Sequence, residues 1–156
     1  MDEQKQTESK GTEGIKATVR IESIKVKRLD DENPDLSHLE SSVLNGKIDS
    51  CCYSQEDYDN DRENTEKYIK QDNERLESYG SSWWMLGVVA EAQVSYDTGQ
   101  GNRRLEHFTS GGIWGVESDS GEDYFETLEQ EELNDLKQHL ETFGVDVSNF
   151  DEKILV

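Results

Sequence analysis

Cations are scarce in this chain: sixteen lysines and arginines face thirty-six aspartates and glutamates, a formal net charge of −20. A surface this acidic repels nucleic acid and anionic membranes, and it attracts cations or basic protein surfaces. Cysteine is almost absent too. Cys51 and Cys52 are the only two, and they are adjacent. That spacing disfavours a structural disulfide between them and supplies no metal or disulfide framework. No apolar run approaches the roughly eighteen residues of a membrane-spanning helix. Residues 1–14 lack the apolar stretch of a signal peptide, so a cytoplasmic protein is expected. Apolar residues make up only 31% of the chain against 33% charged, which is close to where ordered and disordered compositions part.

The apolar residues that do exist are concentrated, and they define a folded domain. Residues 1–14 read as a flexible tail, 15–144 as a single domain, and 145–156 as a C-terminal tail able to dock through Val145, Val147 and Phe150. Ile15, Ala17, Val19 and Ile21 alternate on one phase, and Ile24 and Val26 on the other. The switch near Glu22–Ser23 predicts a strand with a bulge. Around Pro34 a loop is expected, and 45–57 reads as irregular. Thinly spaced Tyr68, Ile69, Leu76 and Tyr79 predict a polar helix over about 60–78.

Trp84, Leu86, Val88, Ala90, Ala92, Val94 and Tyr96 form the strongest strand, with its first half apolar on both faces. A hairpin loop at 97–102 leads to a return strand at 103–109 and a short segment at 113–116. Phe125, Leu128, Leu133, Leu136, Leu140 and Phe143 predict a helix over 121–143, with a capping oxygen from Ser118 or Ser120 and Gly144 as its stop. The expected fold class is α+β: a small antiparallel sheet of three to four strands, with the 121–143 helix packed on one face.

Charge is unevenly distributed along this framework. Residues 1–28 carry five acids and seven bases, residues 29–80 fifteen and five, residues 81–120 five and two, and residues 121–156 eleven and two. Two acidic stretches thus flank a nearly neutral, aromatic-rich middle. The candidate partner-binding acids are Glu122, Asp123, Glu126, Glu129, Glu132 and Asp135 on the C-terminal helix, with Asp57, Asp59, Asp61 and Glu63 near the start of the other. Asp57, Asp59 and Asp61 occupy the first positions of a calcium loop, but Arg62 stands where its glycine belongs and Tyr68 where its glutamate belongs. His38, His107 and His139 show no ligand spacing, and Ser110 and Ser118 no nucleophile elbow. No metal or cofactor is expected.

The loop 110–123 is the other candidate site, through Gly111, Gly112, Trp114, Glu117 and Asp119. Its glycine amides could hold an anion, yet its own acids oppose one. A bulged strand feeding a capped helix is the plainer reading. The stretch Ser110-Gly111-Gly112-Ile113-Trp114-Gly115-Val116-Glu117-Ser118-Asp119-Ser120, followed by Tyr124 and a leucine-rich helix, resembles an uncharacterised family of small phage and mobile-element proteins. Pro34 to Leu39 and Trp84 to Ala92 resemble it too, so the likeness covers most of 18–144. It implies a genomic context in which proteins often counter host defence, and no chemistry.

Two functions of different class follow. One is an acidic interaction module that binds a basic surface on a protein partner, such as a nucleic-acid-binding host protein, as a DNA-mimicking inhibitor of anti-CRISPR or anti-restriction type. Its carboxylates would stand in for duplex phosphates, with no direct nucleic-acid or membrane contact. The alternative is a small-ligand or metal-dependent enzyme domain built around 110–123, with Asp97, Glu117 or Asp119 holding the metal. A homo-oligomer burying Trp114 or Ile113 is a third possibility.

Overall fold

The computed structural model describes residues 17–156 and confirms the α+β class. The expected 1–14 tail, together with Ile15 and Lys16, lies outside the described residues. Strand β1, Thr18–Asp30, pairs antiparallel with β4, Met85–Asp97, along nearly its whole length. Their register slips between Ile21 and Ser23, leaving Glu22 as the extra residue. This is the bulge anticipated from the phase switch. It lets Ile21 and Ile24 both face the core, opposite Val94 and Ala92.

The far edge of β4 is shared end to end by two strands. Strand β5, Arg103–Thr109, pairs with Glu91–Asp97, and β6, Ile113–Glu117, with the Met85–Val88 end. They act as one return strand interrupted at Ser110-Gly111-Gly112. Helix α3, Glu122–Thr142, lies across the face presented by Val88, Ala90, Ala92 and Val94. Leu133, Leu136 and Leu140 pack there with Ile21 and Ile24, while Phe125 and Leu128 meet Val88 and Val116. The helix begins one residue later than expected. Gly121 is its N-cap and no side chain caps it, so the anticipated serine cap is a correction. Ser118 is engaged elsewhere: its Oγ accepts from the Trp84 amide at 2.9 Å. Gly144 does end the helix, at φ 76°. Beyond it Val145 and Phe150 are buried in the same core, and the Leu155 amide donates to the Ile24 carbonyl at 2.8 Å.

Residues 31–84 form an excursion at the Met85 end of the sheet. A hairpin pairs β2, Ser41–Leu44, with β3, Lys47–Ser50, where an irregular segment was expected. Asn45 and Gly46 both have positive φ, as a two-residue hairpin turn demands. Helices α1, Gln55–Asn60, and α2, Arg62–Glu77, follow. Leu39, Trp83 and Met85 form a small separate core with Leu36, Leu76 and Tyr79. No helix among the described residues is long and apolar enough to cross a membrane.

Because Leu136 is fully buried at the helix–sheet interface, Leu136→Ala should cost about 3 kcal/mol. Tyr124→Ala, on the exposed side of the same helix, should change stability by less than about 0.5 kcal/mol. Urea denaturation of the two variants checks the assignment of the buried face.

Candidate functional site

The glycine-rich segment is held by carboxylates from α3. The Gly111 amide donates to Asp135 Oδ2 at 3.0 Å, and the Gly112 amide to Glu132 Oε2 at 2.9 Å. An exposed amide pair of this kind is an anion site, and here the chain supplies its own anions. Glu132 is only 5% exposed, so it serves this loop and is withdrawn from the partner-facing set. Beside it the Ser110 amide donates to the Ala90 carbonyl at 2.8 Å, while Ser110 Oγ accepts from the Ala90 amide at 2.9 Å. The hydroxyl replaces a ladder carbonyl at the break between β5 and β6. The strand–bulge–helix reading of this segment fits that geometry, and the amides are not open to an external ligand.

Two arginines engage most of the remaining acids nearby. Arg75 on α2 reaches both oxygens of Asp119, at 2.7 and 2.8 Å, and Glu117 at 2.9 Å, while its guanidinium lies 3.8 Å from the centre of the Trp83 ring. Arg28 on β1 pairs with Glu122 and Glu129 and lies 4.1 Å over Phe125. Each clasp therefore combines a carboxylate pair with an aromatic face. One fastens the 31–84 excursion to the β6–α3 connection, the other the start of α3 to the sheet. Glu117 and Asp119 are thus ion-paired, and Asp97 sits at the opposite end of β4, about 40 Å away. The three cannot converge on a metal. Among the described residues no group of three His, Cys, Asp or Glu could hold one.

The acids near α1 and α2 are divided between local structure and solvent. Asp57 closes a capping box with Ser54, Asp61 caps α2 through the Asn64 amide, and Asp59 accepts from Gln55. Glu63 is exposed in the first turn of α2. On α3, Asp123, Glu126 and Glu131 are exposed and make no ion pair among the described residues.

Trp114 is where the loop does present something to the outside. Gly115 has φ 75°, and the register of β6 against β4 shifts there. Ile113 and Val116 consequently both pack towards α3, while Trp114 is sent to the other face of the sheet. Its ring lies flat on Gly87: a Cβ at Gly87 would be 2.3 Å from Trp114 Cε3. At Gly112, φ 81°, a Cβ would be 2.8 Å from the indole nitrogen. The ring is positioned by two glycines yet remains 49% exposed.

Across Gly87 lies Leu29, its partner on β1. Leu29, Asp30, Asp31, Glu32, Asn33 and Trp114 line a recess of about 630 Å³. Among the described residues, no lysine, arginine or histidine forms an ion pair with Asp30, Asp31 or Glu32. An accessible indole face beside unpaired carboxylates suits a cation, above all a guanidinium. Sequence reasoning singled out Trp114 but placed Asp30–Glu32 only in a turn. The acidic run directly after a strand was the available signal, and pairing of β1 and β6 on either side of β4 was what it lacked. Trp83, by contrast, is fully buried, and Trp84 is 44% exposed.

No family model, curated protein or solved structure matches the chain.

The Arg75 clasp makes a pH-dependent prediction. Hydrogen bonds from Arg75 hold the Asp119 carboxyl below its ordinary value, against a smaller effect of burial. A carboxyl depressed in the folded state adds stability that is present above its unfolded pKa of about 4 and disappears as pH falls through the folded value. Arg75→Gln should therefore cost about 1 kcal/mol at neutral pH, and its deficit against the parent should shrink below about pH 4. Denaturation curves of both proteins over that range test it.

Proposed function

We propose that this protein is an acidic interaction module that binds a basic surface on a protein partner, centred on Trp114 and the Asp30–Glu32 run. The observation that carries the proposal is the half-exposed, closely seated Trp114 beside carboxylates that, among the described residues, have no ion-pair partner. A tryptophan that needs no reordering is the residue type that dominates protein interfaces, and arginine is its natural counterpart. Stacking a partner arginine on this ring is worth about 0.5–2 kcal/mol, the upper end applying when water is excluded. The neighbouring acids give the same group a charge-assisted hydrogen bond.

The rest of the negative surface supplies the field around that centre. Exposed Glu63, Asp123, Glu126 and Glu131 have no ion-pair partner among the described residues, and the net charge of −20 steers a basic partner from a distance. The partner class we favour is a nucleic-acid-binding host protein, whose lysines and arginines are arranged for phosphates and accept carboxylates in their place. On this reading the chain acts as a DNA-mimicking inhibitor of host defence, of anti-CRISPR or anti-restriction type. The phage-like Gly-Trp segment is the support for that context.

The test is retention of partners from a host lysate on the immobilised protein, with release by salt or by duplex DNA. Basic nucleic-acid-binding proteins should be retained and displaced by duplex DNA. Trp114→Ala, and separately Asp30→Asn with Asp31→Asn and Glu32→Gln, should each weaken retention about tenfold. Retention that is indifferent to both variants and to DNA would remove the proposal.

A further inference from the structure

We infer that the outer edge of β5 is the interface of a two-fold dimer of this chain, paired strand to strand with Leu105 opposite Leu105. Among the described residues nothing pairs with the outer side of this edge, and the strand is regular. From Asp97↔Arg103 to Glu91↔Thr109 the ladder to β4 runs without a bulge or a proline, so nothing in the strand's backbone blocks further pairing. Every residue of β5 except Phe108 is exposed. The corresponding edge of β1 differs, since the C-terminal segment bonds to it at Ile24.

The direction of the free backbone groups follows from the ladder. Thr98 donates to Asn102, and Ser110 to Ala90, so the even-numbered residues of this strand bond inwards to β4. Alternation then turns the N–H and C=O of Arg103, Leu105, His107 and Thr109 outwards. A two-fold antiparallel pairing must be centred on one residue, and the charges choose which. Centred on Arg103, Arg104 or Glu106, the strand places like charges directly opposite each other, and centred on His107 it leaves Arg104 and Glu106 without an opposite charge across from them. Centred on Leu105, it places Arg104 of each copy opposite Glu106 of the other, twice, in the closer non-hydrogen-bonded positions. Leu105, itself 52% exposed, meets its own symmetry mate, and the backbone groups facing outwards are those this register uses.

The face of β5 towards α3 adds shape to this edge. Tyr96, Arg104, Glu106, Phe108 and Phe143 line a groove of about 900 Å³. Phe143 meets Phe108 in a tilted ring contact, centres 5.5 Å apart, yet remains 64% exposed. The Arg104 side chain of a second copy, brought beside Glu106, would lie along these rings. The Arg104–Glu106 exchange, made twice across the axis, names the occupant as a second copy. The strand carries two arginines against one glutamate in a chain of net −20, so it is a place where two such chains can approach.

Sedimentation equilibrium of the full chain, at salt sufficient to screen self-repulsion, tests the inference. A reversible monomer–dimer equilibrium is expected. Leu105→Pro removes an outward N–H that β4 does not use, so it should give a folded monomer with an unchanged circular dichroism spectrum. Arg104→Glu and Glu106→Arg should each weaken the dimer about tenfold, and the double exchange should restore it. A wild-type monomer at every concentration would overturn the inference. So would a dimer that survives Leu105→Pro, or single charge reversals that the double exchange does not rescue.

Discussion

Two backbone amides accepted by two carboxylates, Gly111 on Asp135 and Gly112 on Glu132, set the geometry on which the outer surface depends. They tie the middle of the return strand to α3 and hold it bent between β5 and β6. The bend, followed by the positive φ of Gly115, turns Trp114 away from the core. Were β5 and β6 one regular strand, the face given to each side chain would follow simple alternation, with no shift at Gly115. An internal pairing of amide with carboxylate is thus the origin of an external aromatic surface. It also closes the anion site that the glycine amides would otherwise offer.

The same economy runs through the electrostatics. In a chain of net −20, self-repulsion opposes compactness, and Arg28 and Arg75 each relieve part of it at a point where two carboxylates meet. Each bridges two carboxylates and rests on an aromatic ring. These clasps join elements far apart in sequence, β1 to α3 and α2 to the β6–α3 connection. The acids left without an ion pair among the described residues, from Asp30 to Glu32 and on the outward sides of α2 and α3, make up the exposed negative surface. The division between structural and exposed acid is made by three-dimensional neighbours, and composition alone does not reveal it.

That division explains what could be read in advance. The bulge at Glu22 was visible because a phase switch in alternation is a local signal, and α3 was visible because its leucines recur at helical spacing. The Asn45-Gly46 hairpin carried a known turn signature, but its flanking strands are short and mostly polar, so it read as irregular. On α3, Glu132 sits beside Leu133 in the sequence and looks like any other acid. Its burial follows from where Gly112 lies, twenty positions earlier. The recess at Trp114 was the least legible feature. It requires β1 and β6 to flank the same strand and Gly87 to leave room for an indole, and each of these is a long-range fact.

A heteronuclear NMR titration of the full chain with an arginine-rich peptide probes the Trp114 recess itself. If the recess takes a guanidinium, the Trp114 indole resonance and the amides of Asp30, Asp31 and Glu32 move together and saturate, while the Gly111 and Gly112 amides stay at their hydrogen-bonded positions. Perturbations spread evenly along α3 with Trp114 unmoved, or displacement of the Gly111 and Gly112 amides, would contradict that reading.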